Sequence, residues 1–330
     1  MNILVTGGMG YVGSMLVKRL LELNHTVYVV DIGIYNTKLK LDNPQLIMYK
    51  EDIRWIKWEK IFRNHIDIVY HLAGISNDPG YGVSDEIGYQ INFKATIRLY
   101  DECYKYNVQK FVFASSCSVY GRQEGIVTEL KEEDNVQPLT NYASLKYRVE
   151  EYMRSKKTTS YVIIRPATIY GYSYRQRFDL IVNKLLLDIL KNNEIHIRNV
   201  NDIRPSLYIA DMIDIYISLL NNLEIDNQIY NLATCNMTIR EIHNMIAYRF
   251  NKESRIVDYN ETGSRSYRVS SDKILKDFKG FRFTTYETGL CLLASKIESG
   301  IFDDYKSNTN YYGNLRQPLY FGEKDNVGKL

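Results

Sequence analysis

The sequence predicts an α/β fold, a doubly wound parallel sheet over residues 1–171 followed by a smaller α+β part over residues 172–330. Three observations carry that prediction. Short apolar runs alternate with stretches of helical period through the first half of the chain. A glycine-rich turn separates the first run from the first such stretch. Beyond about residue 172 the alternation loosens, which sets the boundary while allowing the chain to cross between the two parts. The 330 residues suffice for one large domain and one smaller.

Ile3-Leu4-Val5-Thr6 reads as a buried strand, Ser14 to Asn24 as a helix, and Thr26 to Val30 as a second strand ending at Asp31. Between the first two lies Gly7-Gly8-Met9-Gly10-Tyr11-Val12-Gly13. In a strand–turn–helix setting Gly7 permits the tight turn, Gly10 lets a pyrophosphate approach the backbone, and Gly13 lets helix pack on sheet. The amides opening the helix, Tyr11 and Val12 among them, offer donors and a favourable field for phosphate. Asp31 lies 18 residues after Gly13, where a carboxylate accepts from a ribose diol and repels a 2′-phosphate. This is a Rossmann-type unit expected to bind NAD rather than NADP.

The spacing Gly7-x-x-Gly10-x-x-Gly13 resembles that of the extended short-chain dehydrogenase/reductase family, the nucleotide-sugar epimerases and dehydratases. The resemblance covers roughly residues 1–300 and is specific before residue 171. Leu46 to Tyr49 is the third strand, and the family places an adenine-contacting Asp-hydrophobic pair just after it, here Asp52-Ile53. Asp52 also suits the cap of a helix around Trp55 to Phe62. Asp67 to Tyr70 is the fourth strand, and His71-Leu72-Ala73-Gly74 matches the family's turn beneath the nicotinamide ribose. His71 is given no acid–base work. Ser76 to Gly82 reads as a loop over the cofactor. Asp85 to Tyr106 reads as one long helix, carrying Asn92 where the family has an asparagine near the active site.

Phe111 to Ala114 is the fifth strand, and Ser115-Ser116-Cys117-Ser118-Val119-Tyr120-Gly121 closely resembles the family's S-S-x-S-V-Y-G. The resemblance gives Ser116 the catalytic Ser/Thr position, and a hydroxyl at the carboxyl end of a parallel strand faces the ligand crevice. Ser115 is a cofactor-side candidate. The family's 4,6-dehydratases carry Asp-Glu directly after the catalytic Thr. Cys117 and Ser118 stand there instead, which argues against dehydration.

Tyr142 and Lys146 are four apart, so a helix puts them on one face. A nearby lysine cation can lower a tyrosine pKa of about 10 by roughly 1–3 units. The pair is therefore a candidate proton acceptor for a hydroxyl being oxidised. It follows Ser116 by 26 and 30 residues, the family's spacing, and Pro138 and Thr140 form the helix entry. The resemblance also has Lys146 holding the nicotinamide ribose. Ser160 to Ile164 is the sixth strand, and Arg165-Pro166-Ala167-Thr168-Ile169-Tyr170-Gly171 resembles the motif that closes the nicotinamide side. Pro166 is a cofactor candidate and Thr168 a substrate candidate.

In the second half, Arg175 and Arg177 precede an apolar helix to Leu190 that carries the substrate candidate Asn183. The arginines suit either a diphosphate or a solvated face, and both stay open. Arg204-Pro205-Ser206-Leu207-Tyr208-Ile209-Ala210-Asp211 resembles the family's R-D-Y-I-H-V-x-D. It departs at Pro205, Ser206 and Tyr208. Arg204, and Arg265 further on, are expected at the substrate diphosphate. Asp211 is expected to cap a helix from Met212 to Leu220. Ile229-Tyr230-Asn231-Leu232 followed by Thr238-Ile239-Arg240-Glu241 resembles the family's strand-then-capped-helix unit, with Thr238 and Glu241 forming a capping box. The tail from Asp303 matches nothing, and its Tyr311, Tyr312, Tyr320 and Phe321 suit docking on the body or on a second chain.

A net charge of +3 argues against nucleic-acid or membrane partners. No apolar run reaches the length of a span, and no signal sequence opens the chain. Cys103, Cys117, Cys235 and Cys291 are scattered without metal spacing, which suits free thiols in the cytoplasm. The expected function is oxidation at C4 of a nucleotide-activated hexose or heptose. A 4-epimerase leads, with a 4-dehydrogenase, a 4-ketoreductase or a non-catalytic dinucleotide sensor as alternatives. A homodimer through helices 85–106 and 142–155 follows from the resemblance.

Overall fold

The computed structural model describes residues 1–35, 37–39, 42–76, 85–122, 128–191, 194–259, 266–308 and 312–314. Among these, seven strands form one parallel sheet: β1 (Asn2–Thr6), β2 (Thr26–Asp31), β3 (Leu46–Lys50), β4 (Ile68–His71), β5 (Lys110–Ala114), β6 (Tyr161–Pro166) and, later in the chain, Gln228–Leu232. From one edge the order is β3, β2, β1, β4, β5, β6 and then the late strand. The order reverses between β1 and β4, so the carboxyl ends of these two strands flank the crevice where such sheets bind ligands.

Alternation along each strand builds two cores. Ile3, Val5, Val29, Val112, Val162 and Ile164 face one side, packed with Leu16, Val17, Leu20 and Ile215. Leu4, Val30, Val69, Phe111, Phe113 and Ile163 face the other, packed with Ile91, Leu99, Val149 and Met153. Strands apolar on both faces belong in a sheet covered on both faces. The helices doing the covering include α1 (Tyr11–Glu22), α2 (Glu59–Phe62), α3 (Asp85–Gly88), α4 (Thr96–Lys105) and α5 (Asn141–Lys156).

The late strand pairs in parallel with β6, Ile229 opposite Ile163. The sheet expected from residues 1–171 thus gains its seventh strand from beyond that point. The remaining strands are β7 (Thr168–Tyr170), β8 (Glu194–Arg198), β9 (Ile203–Tyr208), β10 (the late strand), β11 (Cys235–Thr238) and β12 (Arg255–Tyr259). β11, β9 and β7 form a small sheet, and β12 and β8 another. With α6 (Ile181–Lys191), α7 (Ile209–Ser218), α8 (Ile239–Arg249), α9 (Asp272–Asp277) and α10 (Tyr286–Glu298) they complete the fold. A third core of Leu185, Leu186, Ile189, Ile242, Leu290 and Leu293 sits among α6, α8 and α10. The capping box of α8 forms, with the Thr238 side chain accepting from the Glu241 amide and Glu241 accepting from the Thr238 amide.

Three expected helices change. The helix around Trp55 shrinks to Glu59–Phe62 with Trp58 at its cap. Asp52 caps the turn that precedes it, accepting from the Arg54 amide at 2.8 Å, and its carboxylate also grips the Arg54 guanidinium at 2.6 Å. The stretch from Asp85 is continuous but widens to a π-helix over Tyr89–Ala95 before α4, a local irregularity common at functional sites. α7 starts at Ile209, so Asp211 lies inside the first turn. Its carboxylate accepts from the Thr284 amide and hydroxyl instead of capping.

Candidate active site

A cavity of about 630 Å³ lies at the carboxyl ends of β1, β4 and β5, lined among others by Gly7, Gly10, Asp31, Gly74, Ser116 and Tyr142. The glycine turn sits there for steric reasons. Gly7 adopts φ +71°, and a Cβ on it would stand 2.7 Å from the Ala73 nitrogen. A Cβ on Gly13 would stand 2.1 Å from the Gly7 oxygen. Turn, helix start and β4 exit therefore touch backbone to backbone, and Tyr11 and Val12 reach the cavity wall at the amino end of α1.

Asp31 ends β2. Its Oδ2 accepts from the Met9 amide at 2.9 Å and its Oδ1 from the Gly33 amide at 2.8 Å. Burial pushes its pKa up, opposed by these two N–H donors. A carboxylate offers about four acceptor positions, so capacity for ribose hydroxyls remains. Asp52, Ile53, Leu72, Ala73 and Gly74 also line the cavity. These features fit a dinucleotide: a backbone cradle that any Cβ would fill, a helix start for a diphosphate, and a carboxylate for a ribose.

α5 begins at the cap Thr140, whose hydroxyl accepts from the Ala143 amide at 3.2 Å. It carries Tyr142, half-buried on the cavity wall, and Lys146, buried one turn on. Lys146 Nζ donates to the Ala114 carbonyl at 2.7 Å and stands 5.8 Å from the Tyr142 ring centre. Burial lowers its pKa to about 8, with Glu150 opposing. An ammonium has three protons, so two stay available for a tyrosine oxygen or a ribose. Ser116 opens the short 3₁₀ turn Cys117–Tyr120, where its Oγ accepts from the Ser118 amide at 3.1 Å and the Ser118 hydroxyl at 2.9 Å. Both bonds use acceptor positions, which leaves the Ser116 proton to donate into the cavity.

Beneath this set is a buried polar network that sequence reading missed. Glu150, one turn beyond Lys146, accepts from the Ser115 hydroxyl and pairs with Arg165 at 2.5 Å. Arg165 also donates to Tyr120 at 2.8 Å, and Tyr120 donates to the Asn231 side chain at 2.9 Å. The available signal was spacing: Tyr142, Lys146 and Glu150 form an i, i+4, i+8 stripe. Ser115 thus lines the cavity with its hydroxyl committed to Glu150.

Two candidates do not reach the wall. Asn92 is 3% exposed and clamps Ile75, accepting from its amide at 2.8 Å and donating to its carbonyl at 3.0 Å. Asn183 is fully buried. It accepts from the Gly171 amide and donates to Tyr11 Oη and the Arg177 carbonyl, so it braces the site without lining it. Pro166, Thr168, Arg177 and Arg204 do line the cavity. Arg177 pairs with Asp179 at 2.6 Å, and Arg204 lies 3.4 Å from Asp202. Arg265 and residues 77–82 of the expected loop lie outside the described residues, as do Tyr311, Tyr320 and Phe321. His71 bridges Thr6 and Thr96, and burial, with the Lys146 charge adding, lowers its pKa to about 3. It is a structural histidine. Among the described residues there is no cluster suited to a metal ion and no helix able to span a membrane.

An open parallel sheet with a glycine turn at its first strand and Ser, Tyr and Lys beside it is the plan of the extended short-chain dehydrogenases/reductases. The sequence model of the NAD dependent epimerase/dehydratase family matches residues 3–233. The chain belongs to that family of NAD-dependent enzymes. It is 28% identical over 278 residues to a putative UDP-glucose 4-epimerase of Methanocaldococcus jannaschii, covering 82% of this chain and 89% of that one. It is 30% identical over 264 residues to a UDP-glucose 4-epimerase of Yersinia enterocolitica, covering 71% and 78%. The fold is similar to that of a UDP-N-acetylglucosamine 4-epimerase from Methanobrevibacter ruminantium, with TM-score 0.80 at 24% identity over 91% of this chain and 99% of that one.

Proposed function

We propose that the chain is a 4-epimerase of a nucleotide-diphosphate hexose or heptose, acting through a 4-keto species. The observation that carries the reading is Lys146, buried beside the Tyr142 ring, with both residues and Ser116 lining the one cavity. Tyr142 takes the proton of the sugar C4 hydroxyl, its phenolate favoured by the Lys146 ammonium. Ser116 donates to the same oxygen and holds it while carbonyl character develops. NAD, which the glycine turn and Asp31 would hold, would supply the hydride acceptor for the oxidation and the hydride donor for the reduction. Tyr142 then gives its proton back.

The residues after Ser116 support epimerisation over dehydration. Cys117 is buried with its Sγ against the Arg165 carbonyl at 3.0 Å, and Ser118 is committed to Ser116. Neither supplies a carboxyl group to expel water. The relatives named as UDP-glucose 4-epimerases point the same way. Arg204 is the proposed contact to the sugar nucleotide's diphosphate, and the stretch 85–105 together with α5 the proposed dimer face. Light scattering that reports a monomer at micromolar concentration contradicts the dimer.

A panel of UDP-, GDP-, CDP- and dTDP-sugars with product analysis tests the function. A C4 epimer from at least one of them is expected. A keto sugar as the sole product, or a dehydrated one, overturns it.

A further inference from the structure

We infer that Tyr312–Asn314, near the end of the chain, forms a wall of the dinucleotide site and straps NAD in place between turnovers. The inference rests on the cofactor reading above and adds a part that the family match, ending at residue 233, does not include.

The segment is anchored and then reaches in. Tyr312 is 3% exposed, with its ring packed on Phe178 and Phe302 at centroid distances of 5.5 and 5.8 Å. Its hydroxyl accepts from Lys38 at 3.1 Å and donates to Asp304. Its carbonyl accepts from the Phe178 amide at 2.7 Å. Two residues on, Asn314 lines the cavity.

There it joins two walls that are far apart in sequence. Asn314 Nδ2 donates to Ser76 Oγ at 2.7 Å, just beyond the β4 turn. Its amide faces Asp179 Oδ2 at 3.4 Å, and the Gly313 carbonyl accepts from Arg175 at 3.0 Å. Asp179 also holds Arg177, whose Nη1 lies 3.3 Å from Ser76 Oγ. At the other end of this segment, Ser173 donates to the Tyr11 carbonyl at 2.6 Å. The contacts close a circuit: from the start of α1 through residues 173–179 to Asn314 and Ser76, then back through β4, which pairs with β1. Gly10, Tyr11, Ser76, Arg177, Asp179 and Asn314 all line the one cavity.

A diphosphate at the start of α1 is therefore enclosed by this circuit, and the dinucleotide leaves only when the strap's bonds open. Slow release suits an enzyme that returns the hydride to the same sugar and has no need to exchange its cofactor.

The test is release of radiolabelled NAD from the full-length protein into an excess of unlabelled NAD. Asn314→Ala and Tyr312→Ala are each expected to release it about tenfold faster or more, equivalent to about 1.4 kcal/mol. Thermal melts of the NAD-free proteins confirm that the variants fold; Asn314→Ala removes no buried contact of the core. Release at the wild-type rate from a folded Asn314→Ala protein overturns the strap and leaves the cofactor reading standing. A wild-type protein that binds no NAD overturns the cofactor reading, and the strap with it.

Discussion

The floor and the roof of the cavity are built differently. The floor is the glycine turn, the ends of β4 and β5, and the first turns of α5. Its positions are set by backbone: a missing Cβ at Gly7 and Gly13, the pairing of β1 with β4, and a helix that spaces Tyr142 and Lys146 one turn apart. The roof is residues 173–179, Arg204 and Asn314. It is held by side chains reaching across the sequence, as in Asn314 to Ser76 or Ser173 to Tyr11. In the proposed mechanism chemistry rests on the backbone-set floor, and recognition and retention on the side-chain-held roof.

That contrast can be broken most strongly under the floor. Glu150→Ala leaves the Arg165 guanidinium buried without its carboxylate, and removing one partner of such a pair costs about 3–5 kcal/mol. A thermal melt close to the wild type's shows that the network does not support the floor. Next is Tyr142→Phe, which keeps fold and NAD binding but loses at least the ~10²-fold general-base contribution to turnover. Wild-type turnover in that variant removes Tyr142 from the mechanism.

The roof should respond in a different parameter. Arg204→Ala is expected to raise KM for the sugar nucleotide by about tenfold or more, the loss of one charge-assisted hydrogen bond, with little change in kcat. A drop in kcat at unchanged KM moves Arg204 from roof to floor.

The smallest effect is in pH. Burial lowers the Lys146 pKa to about 8, and the phenolate proposed for Tyr142 needs the Lys146 charge. kcat/KM should therefore fall as pH rises through about 8, and a profile flat beyond that point contradicts the role. Stability shifts the other way. The unfolded lysine keeps its proton to about 10.4, so this one group makes folding more favourable as pH rises from 8 toward that value.

The same division explains what could be read from the sequence. Floor residues announce themselves because their partners are near in the chain: the three glycines, the Ser116 turn, the Tyr142–Lys146 pair. What spacing leaves open is local too. Asn92 sits near the site and clamps the cavity-lining Ile75 from behind, because spacing gives a neighbourhood and not a direction. The roof is hidden because its pairs are long-range. Nothing beside Asn183 in sequence reveals that it spends its amide on Tyr11 and Gly171. Ile229–Leu232 is legible as a strand but not as the seventh of the central sheet, for a similar reason: Ile229 meets Ile163 only after the chain has built much of the smaller part.

Floor and roof together are proposed to hold one NAD through a complete oxidation and reduction of the same sugar. The most direct measurement is absorbance near the reduced-nicotinamide band, followed with protein-bound NAD alone and the sugar nucleotide that the panel selects. The expected result is a transient rise that decays as the C4 epimer forms, with no free NADH. A rise that persists, with keto sugar released, contradicts it.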